Sequence, residues 1–485
     1  MYVKDSFVGR TSILAALDSH LATVRSTGRG EMVAVRGRRQ VGKSAVVERF
    51  VERAKTPYAF VTAINQGTLQ QQWQAFKDAI TEARVPVPTD DAWADVTPGN
   101  WRGALLPFTI AAQTAPVILV LDEFPWMAQA DPSLEGQLQA MWDRTLEKLP
   151  ILVILIGSDV SVMEQLSTYG RPLFGRIREL VVAPLDLGEV AAALPHQRPA
   201  EIIDSYLVVG GFPRLVRDLA TTGLAAEDYV RQALADPFSP LVTTGRLILD
   251  AEFPDAAAAR RVLSAIGSED TGAVRFSELI AGSGTNGTSA AQTATTRALA
   301  VLSGAKKLID VEQPAWSPPT SRLRRYRVAD PYLRFWFRYA KSAPDLAGRG
   351  RPDIPIGHFD RDWVSWRGRS VEPLVRSALL RIATTDDAWE GVENVLPWWT
   401  RDGQVEVDVV AMTRELSVAV GTIKWRATSG VTAKDMTNLA VQAAQVPRAQ
   451  DAQLIAIGRQ GTCPPGAVRM FTAEDLVRAW TDPAP

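Results

Sequence analysis

The chain has 485 residues, of which 46% are hydrophobic and 22% are charged, and its formal net charge is −1. This composition excludes a largely disordered chain, and the length is enough for roughly three domains. The near-neutral charge excludes a global field that draws the whole molecule to nucleic acid or to anionic membrane, so any such binding must come from a local patch.

The cellular compartment can be inferred from the cysteine count, the histidine positions and the length of the apolar runs. The single cysteine, Cys463, excludes a disulfide framework within the chain, and the three histidines (His20, His196 and His358) are too scattered to indicate a zinc site. The N-terminal stretch MYVKDSFVGR contains no apolar run of signal-peptide length, and PVILVL and PILVILI are far shorter than a membrane span. We therefore expect a cytoplasmic protein that does not bind membrane.

The first 250 residues divide by their pattern. Residues 32–185 alternate short β-branched runs with longer amphipathic stretches, in the order EMVAVRG, SAVVERFVERA, PVILVLDEF, GQLQAMWDRTLEKL and PILVILIGS. This alternation predicts a parallel sheet covered by helices, and we assign residues 1–185 to that core. Residues 186–250 are rich in alanine and hold no strand candidate, which predicts a helical lid.

The second half predicts two further domains. Residues 251–340 contain three helical segments, near residues 255–267, 276–281 and 289–303, followed by the strand-like runs KKLIDV and RRYRVA on either side of PAWSPPTS. Three helices and a β-ribbon are typical of a winged helix-turn-helix. Residues 341–485 contain the strand candidates QVEVDVVAM, ELSVAVGTIKW and AQLIAIG, which indicate a second α/β domain.

A phosphate-loop pattern, GRRQVGKS, occupies residues 37–44 between the strand MVAVR and a helix. Gly37 and Gly42 permit backbone angles that point amide N–H groups at an anion, and the N-terminus of the following helix adds positive charge. We expect Lys43 to reach the β- and γ-phosphates and Ser44 to ligate magnesium. The pattern predicts an ATP site built from Gly37, Arg38, Arg39, Gln40, Val41, Gly42, Lys43, Ser44 and Ala45.

Two later strands end in polar residues. PVILVLDEF delivers Asp122 and Glu123 at the carboxyl end of a buried strand, where open α/β sheets bind ligands. Asp122 is expected to hold Mg²⁺ together with Ser44, and Glu123 to orient or deprotonate the attacking water. PILVILIGS ends at Ser158, whose hydroxyl is placed to sense the γ-phosphate; the alternative is a serine that caps a turn or helix. These residues predict magnesium-dependent ATP hydrolysis.

Taken in order, several motifs resemble one family. FVGR at residues 7–10, the phosphate loop, LDEF, IGS, PLFGR at residues 172–176 and GGFPR at residues 210–214 resemble the archaeal-type P-loop ATPases of the STAND/AAA+ branch. Farther on, YRVADPYLRFWFRY and the C-terminal segment resemble the subgroup with a winged helix and a restriction-endonuclease-like PD-(D/E)XK tail. The expected fold is therefore multidomain α/β.

The resemblance implies further nucleotide contacts. In this family the FVGR segment and the GGxP turn flank the adenine, which implies that Val8, Gly9, Gly211 and Pro213 surround the base. Arg176 of PLFGR resembles the arginine that stabilises charge on the γ-phosphate, either in its own site or from a neighbour in a homo-oligomer assembled in ATP. The alternative is a structural arginine paired with an acid.

The winged-helix segment is a candidate contact for double-stranded DNA. Residues 251–340 hold twelve Lys and Arg against eight Asp and Glu, and a basic wing is suited to phosphates. The alternative is a winged helix that serves as a lid or a docking surface. The expected DNA contacts are Arg297, Arg322, Arg324, Arg325 and Arg327.

The tail resembles a degenerate nuclease. Glu372 on a helix, Asp408 in QVEVDVVA and Lys424 in VGTIKW match the PD-(D/E)XK arrangement, in which two carboxylates hold Mg²⁺. The position two before Lys424 is Thr422 instead of an acid, and Glu406 is a candidate substitute or a structural carboxylate. We expect little nuclease activity and a docking face formed by Lys424, Trp425 and Arg426.

The leading hypothesis is an ATPase whose nucleotide state repositions the winged helix and the tail on DNA. Two alternatives stay open at this stage. One is an ATP-dependent signalling switch or assembly module that does not bind DNA. The other is a metal-dependent nuclease gated by ATP.

Overall fold

The computed structural model describes residues 7–83, 100–253, 257–269, 273–282 and 288–481. It divides into two compact units, one formed by Arg10–Pro184 and the other by Met1–Gly9 together with Leu185–Pro485. No helix in the described part of the chain is both long and apolar enough to cross a membrane.

The first unit is a parallel sheet covered by helices. Its strands are β1 (Glu31–Arg36), β2 (Tyr58–Thr62), β3 (Val117–Asp122), β4 (Ile151–Gly157) and β5 (Ile177–Val181). Its helices are α1 (Thr11–Thr27), α2 (Lys43–Arg53), α3 (Leu69–Glu82), α4 (Trp101–Ala111), α5 (Phe124–Ala130), α6 (Leu134–Arg144) and α7 (Val160–Leu166). All strand pairs are parallel in the order β2-β3-β4-β1-β5, which confirms the predicted sheet.

Burial explains why these strands read as continuous apolar runs. Every residue of β3 and of β4 is buried, because helices cover both faces of a parallel sheet. The short loops after the strands therefore carry the polar groups of this unit to the carboxyl edge of the sheet.

The second unit begins with a purely helical stretch. It contains α8 (Leu187–Ala193), α9 (Pro199–Val209), α10 (Pro213–Thr222), α11 (Ala226–Ala235) and α12 (Pro240–Glu252). All of residues 186–250 are described, and they contain no strand, which confirms the helical prediction.

Three helices and a small antiparallel sheet follow. The helices are α13 (Ala257–Ser268), α14 (Phe276–Gly282) and α15 (Ser289–Ala300). The strands β6 (Val274–Arg275), β7 (Ile309–Glu312) and β8 (Arg325–Val328) pair in the order β6-β8-β7. The three helices and the two strands β7 and β8 lie where the sequence predicts them. Strand β6 was not predicted, because two residues are too few to show a period.

The C-terminal part contains a mixed sheet. Its helices are α16 (Pro331–Phe335), α17 (Ala343–Gly348), α18 (Asp353–Ser370), α19 (Glu372–Ile382), α20 (Ala433–Ala443) and α21 (Ala473–Thr481). Its strands are β9 (Asn394–Trp399), β10 (Glu406–Met412), β11 (Ser417–Lys424), β12 (Gln453–Gly458) and β13 (Arg469–Phe471). They run in the order β13-β12-β11-β10-β9, with β9, β10 and β11 antiparallel and β11, β12 and β13 parallel.

A buried ion pair joins the helical stretch to the C-terminal part. Asp204 on α9 is only 4% exposed and accepts a hydrogen bond from Arg367 on α18 at 3.0 Å. The indole N–H of Trp425, directly after β11, also donates to Asp204 at 3.3 Å. The helical stretch and the mixed sheet therefore belong to one packed unit. Because Trp425 is 3% exposed, its predicted place in a docking face is wrong.

Candidate functional site

The phosphate loop runs from the end of β1 at Arg36 to the start of α2 at Lys43. Its backbone is left-handed at Gly42, with φ of 86°, and at Gln40, with φ of 65°. A Cβ at Gly37 would collide with the carbonyl oxygen of Val182, so only glycine fits there. These constraints give the loop the tight turn that directs N–H groups toward an anion.

A buried arginine is hydrogen-bonded to the backbone of this loop. Arg10, 4% exposed, donates to the Val41 carbonyl oxygen at 2.6 Å and to the Ala183 carbonyl oxygen at 2.5 Å. Arg10 is the last residue of the FVGR motif, and the sequence predicts no role for it. Nothing in the local spacing indicates partners 31 and 173 residues away.

The predicted magnesium residues meet at the carboxyl edge of the sheet. The Ser44 hydroxyl donates to Asp122 Oδ1 at 3.1 Å, and the backbone N–H of Glu123 donates to the same oxygen at 3.0 Å. Lys43 Nζ donates to the Arg38 carbonyl oxygen within the loop, at 2.9 Å. We expect this hydrogen bond to break when Lys43 binds a phosphate. A hydroxyl and a carboxylate are oxygen ligands of the kind Mg²⁺ prefers.

Ser158 lies beside the predicted water-activating residue. Strand β4 lies between β1 and β3, so the residue after its end is placed between the phosphate loop and the acidic pair. There the Ser158 hydroxyl donates to Glu123 Oε1 at 2.8 Å. Glu123 itself adopts a left-handed backbone, with φ of 53°, an uncommon conformation for a non-glycine residue. The Ser158 hydroxyl thus fixes the orientation of the Glu123 carboxylate.

Negative charge accumulates around this pair. Burial raises the pKa of Asp122, the Glu123 carboxylate raises it further, and the hydrogen bond from Ser44 opposes both. Glu48, one turn after Ser44 on α2, also has a raised pKa, chiefly through burial and then through Asp122. The prediction missed Glu48, whose signal was its spacing of four residues from Ser44 on a helix. Such crowding of carboxylates favours a bound cation.

Of the other predicted ATP-site residues, Arg39 lies in the loop and Ala45 lies in α2. The guanidinium of Arg39 lies 5.8 Å from the ring centroid of Trp126, which follows Glu123 on α5. Ala45 is exposed in the first turn of α2. Trp126 was not predicted as a site residue.

Arg176 lies at the opposite end of the sheet. The register pairs Met32 with Ile177, so Arg176 precedes β5 beside the start of β1, roughly 20 Å along the strand from the phosphate loop. It donates to both carboxylate oxygens of Asp143, at 2.6 and 2.9 Å, and thereby lowers the pKa of that carboxyl. The prediction that Arg176 acts within its own nucleotide site is therefore wrong, because the strand separates the two.

The residues predicted to flank adenine belong to the second unit. Gly9 has φ of 65°, and a Cβ there would collide with the Glu189 side chain. The Gly211 carbonyl oxygen accepts a hydrogen bond from the Leu185 N–H at 2.8 Å, and Pro213 begins α10. Val8 is half-buried. Their contact with a base stays a prediction.

The predicted DNA-contacting arginines differ in availability. Arg297 and Arg322 are exposed, and Arg324 donates to the Pro319 carbonyl oxygen at 2.6 Å. Arg327 is 6% exposed and paired with Glu312 at 2.6 Å. Its predicted role as a DNA contact is therefore wrong, because a buried guanidinium cannot reach a phosphate. Arg325 is bonded to Glu406 but lines an open pocket that is described below.

In the tail, Thr422 and Lys424 lie beside Asp408. Thr422 donates its hydroxyl to Asp408 Oδ2 at 3.1 Å, and the Ile423 N–H donates to the same oxygen at 2.7 Å. Lys424 Nζ lies 3.9 Å from that oxygen. After burial, the carboxylate of Asp408 is among the causes that raise the pKa of Glu372.

Internal cations neutralise these carboxylates. Arg376, 6% exposed, donates to Glu312 at 2.6 Å and to the Asp408 carbonyl oxygen at 3.2 Å, and lies 3.6 Å from Glu372. Burial raises the pKa of Glu372 to about 7, against the opposing effect of Arg376. Glu406 is held by both terminal nitrogens of Arg325, at 2.5 and 3.2 Å, so the structural-carboxylate alternative fits it better than metal ligation.

Within the described ranges, no three His, Cys, Asp or Glu side chains are grouped as a preformed metal site. Magnesium binding at Ser44 and Asp122 stays a prediction, and it would need further oxygens from ATP phosphates and water.

Two sequence models of protein families match separate parts of the chain. The sequence model of the AAA ATPase domain matches residues 6–154, and the model described as archaea bacterial proteins of unknown function matches residues 336–436. The first match supports a P-loop ATPase, and the second shows similarity of residues 336–436 to a family without a known function.

Individual relatives are distant. The uncharacterized protein MJECL04 of Methanocaldococcus jannaschii is 22% identical over 430 residues, which cover 87% of this chain and 88% of that protein. The Walker-type ATPase PABY2304 of Pyrococcus abyssi aligns with a TM-score of 0.48 at 17% identity, over 69% of this chain and 97% of that one. The Aeropyrum pernix ORC2 protein, solved as ADPNP-ADP complexes, aligns with a TM-score of 0.48 at 15% identity, over 73% and 96%.

Proposed function

We propose that this protein hydrolyses ATP at the carboxyl edge of its parallel sheet and uses the nucleotide state to control a DNA-binding C-terminal half. The observation that carries the hydrolytic part is the adjacency of two hydrogen-bonded pairs, Ser44 with Asp122 and Ser158 with Glu123. One pair suits a metal ion, and the other suits an attacking water. The AAA ATPase match over residues 6–154 supports the same reading.

Each side chain takes a defined part in hydrolysis. The loop N–H groups and Lys43 hold the β- and γ-phosphates, and Lys43 leaves the Arg38 carbonyl oxygen to do so. Ser44 and Asp122 would hold Mg²⁺, which supplies charge neutralisation on the phosphates. Glu123, oriented by Ser158, accepts a hydrogen bond from the attacking water and aligns it with the γ-phosphorus.

Two substitutions test this assignment. Lys43→Ala should abolish ATP binding or turnover, because the phosphates lose their compensating ammonium, whereas Glu123→Gln should retain ATP while turnover falls by about 10²–10⁴-fold. Glu82→Gln, an exposed change at the end of α3, is the matched control and should hydrolyse at the parent rate. Parent-rate hydrolysis by Glu123→Gln would remove Glu123 from the mechanism.

The C-terminal half is proposed to act on DNA. We assign residues 251–340 to a winged helix and residues 341–485 to a degenerate PD-(D/E)XK-like domain, with residues 186–250 as the lid. Three helices with an antiparallel sheet, and a mixed sheet that carries Asp408 and Lys424, support these assignments. Duplex DNA should then stimulate the ATPase rate in a salt-sensitive manner. A rate that does not respond to DNA would favour the signalling-switch alternative.

Arg176 is proposed to act on the nucleotide of a neighbouring copy in an ATP-dependent oligomer. The distance of Arg176 from its own phosphate loop supports action in trans. The hydrogen bonds to Asp143 fix the orientation of the Arg176 side chain. Lys43→Ala and Arg176→Ala should each be inactive alone but regain activity when mixed, because a mixed assembly contains one intact composite site. No regain on mixing would argue for a structural arginine.

Nuclease chemistry is the less supported alternative. Arg376 and Lys424 already supply positive charge to Glu372 and Asp408, and a weakly held divalent cation would be repelled by them. Thr422 offers a neutral hydroxyl where the nuclease pattern has a carboxylate, which weakens magnesium binding further.

A further inference from the structure

A strongly basic pocket lies where the small antiparallel sheet meets the end of β9. Its volume is about 530 Å³, and three separate segments of the chain contribute to its wall. Among the described residues that line it there are five arginines and no aspartate or glutamate. The arginines are Arg275, Arg322, Arg324, Arg325 and Arg401.

Two of these arginines are held in place. Arg325 is bonded to Glu406 and its guanidinium lies 4.1 Å from the ring centroid of Trp399, which is itself 4% exposed. Arg324 donates to the Pro319 carbonyl oxygen. Fixing a guanidinium before binding removes part of the entropy loss that a flexible side chain suffers on binding.

The other three arginines have no recorded ion pair within the described part of the chain. Arg322 and Arg401 are exposed at the rim, and Arg275 lies beside the Gly403 turn that follows β9. Glu406 offsets the charge of Arg325, and the other four guanidinium groups repel one another unless an anion is present. This concentration stands out because the chain as a whole has a net charge of −1.

We propose that this pocket binds phosphate groups of a DNA backbone and that the winged-helix segment and the C-terminal sheet grip the strand together. The proposal rests on the proposed function and deepens it. Arginine forks match phosphate oxygens in pairs, and five arginines from three chain segments offer several such contacts. Contacts to the backbone carry no sequence information, so binding should be independent of base sequence.

The proposal adds two contacts to DNA phosphates that the sequence patterns do not predict. Arg401 and Arg275 come from the two sides of the junction, one after β9 and one in β6. Arg401 belongs to the C-terminal domain, so that domain would touch DNA beside the wing instead of through the nuclease-like site.

The test measures binding of a fluorescent 20-base-pair duplex by the full chain at several salt concentrations. The variants are the double substitution Arg322→Gln with Arg401→Gln, the substitution Arg297→Gln on α15, and Arg361→Gln as the matched control. Arg361 is an exposed arginine on α18 outside the pocket. Circular dichroism and melting temperature confirm that each variant is folded, and inorganic pyrophosphate serves as the competing small anion.

The double variant should bind the duplex about tenfold or more weakly, the effect of losing hydrogen bonds to a charged group, and the control should bind as the parent does. The slope of log affinity against log salt should become shallower by roughly 2, since each phosphate contact contributes about 0.9. Two oligonucleotides of unrelated sequence should bind equally.

The contrary outcomes separate the two proposals. Parent-like affinity and salt slope in the double variant, with binding lost in Arg297→Gln, overturn the pocket and leave DNA binding intact. If the parent binds pyrophosphate in the pocket but no duplex, both the backbone proposal and the DNA part of the proposed function are overturned.

Discussion

Two sites in this chain contain the same hydrogen-bonded pair in opposite electrostatic surroundings. At the edge of the ATPase sheet, Ser44 donates to Asp122 at 3.1 Å, and in the tail Thr422 donates to Asp408 at 3.1 Å. At the first pair, burial raises the pKa of Asp122, and the neighbouring Glu123 carboxylate raises it further, against opposing effects that include Lys43. The second is next to Lys424 and to Arg376. The comparison indicates that a cation site is distinguished by the charges around a carboxylate, because the pair alone is common to both.

The largest expected effect comes from removing the internal cation of the tail. Arg376→Met should lower the free energy of unfolding by about 3–5 kcal/mol, because Glu312 and Glu372 lose a buried partner. If the arginine takes the place of a metal ion, Mn²⁺ should raise the melting temperature of this variant and leave the parent unchanged. Thermal melts with and without Mn²⁺ measure both effects. A variant as stable as the parent would show that Arg376 is dispensable.

A smaller effect concerns the pH dependence of stability. The folded pKa of Glu372, about 7, exceeds its ordinary value of 4.5, so the folded state binds the proton more tightly than the unfolded state does. The free energy of unfolding should therefore fall as pH rises from about 4.5 to 7, by about 3 kcal/mol from this group. Glu372→Gln should lack this component. Denaturant unfolding at pH 5 and pH 8 measures it, and parallel curves for parent and variant would contradict it.

The smallest expected effect compares the hydroxyl groups of the two sites. Ser158→Ala should lower turnover about tenfold with little change in ATP affinity, since the hydroxyl orients the Glu123 carboxylate. Thr422→Val, which removes the hydroxyl beside Asp408, should leave ATP turnover unchanged and lower stability by about 1 kcal/mol. Steady-state kinetics of both variants decide whether only the sheet edge takes part in hydrolysis.

The sheet and its phosphate loop were predictable because their signals are local. A buried apolar strand, two glycines and a helix occur in sequence within residues 32–53, and the structure has them in that order. The polar residues Asp122, Glu123 and Ser158 follow two such strands directly. Parallel pairing then brings their ends to one edge, which is a rule of topology that needs no side-chain detail.

The features that the sequence does not predict depend on hydrogen bonds between residues far apart in the chain. Arg10 and Val41 are separated by 31 residues, Arg376 and Glu312 by 64, and Arg325 and Glu406 by 81. No periodicity records such partners, so the wing arginines looked uniformly available and Glu406 looked like a candidate ligand. Trp425 was misread for the same reason, because its partner Asp204 lies 221 residues away.

The most direct test of the central claim counts divalent ions by electron paramagnetic resonance of Mn²⁺ in the presence of ATP. We expect one tightly bound Mn²⁺ per chain, lost in Asp122→Asn and retained in Asp408→Asn, because Asp122 has the Glu123 carboxylate beside it, whereas Asp408 lies beside Lys424. Retention in Asp122→Asn together with loss in Asp408→Asn would contradict this account and would place the metal chemistry in the tail.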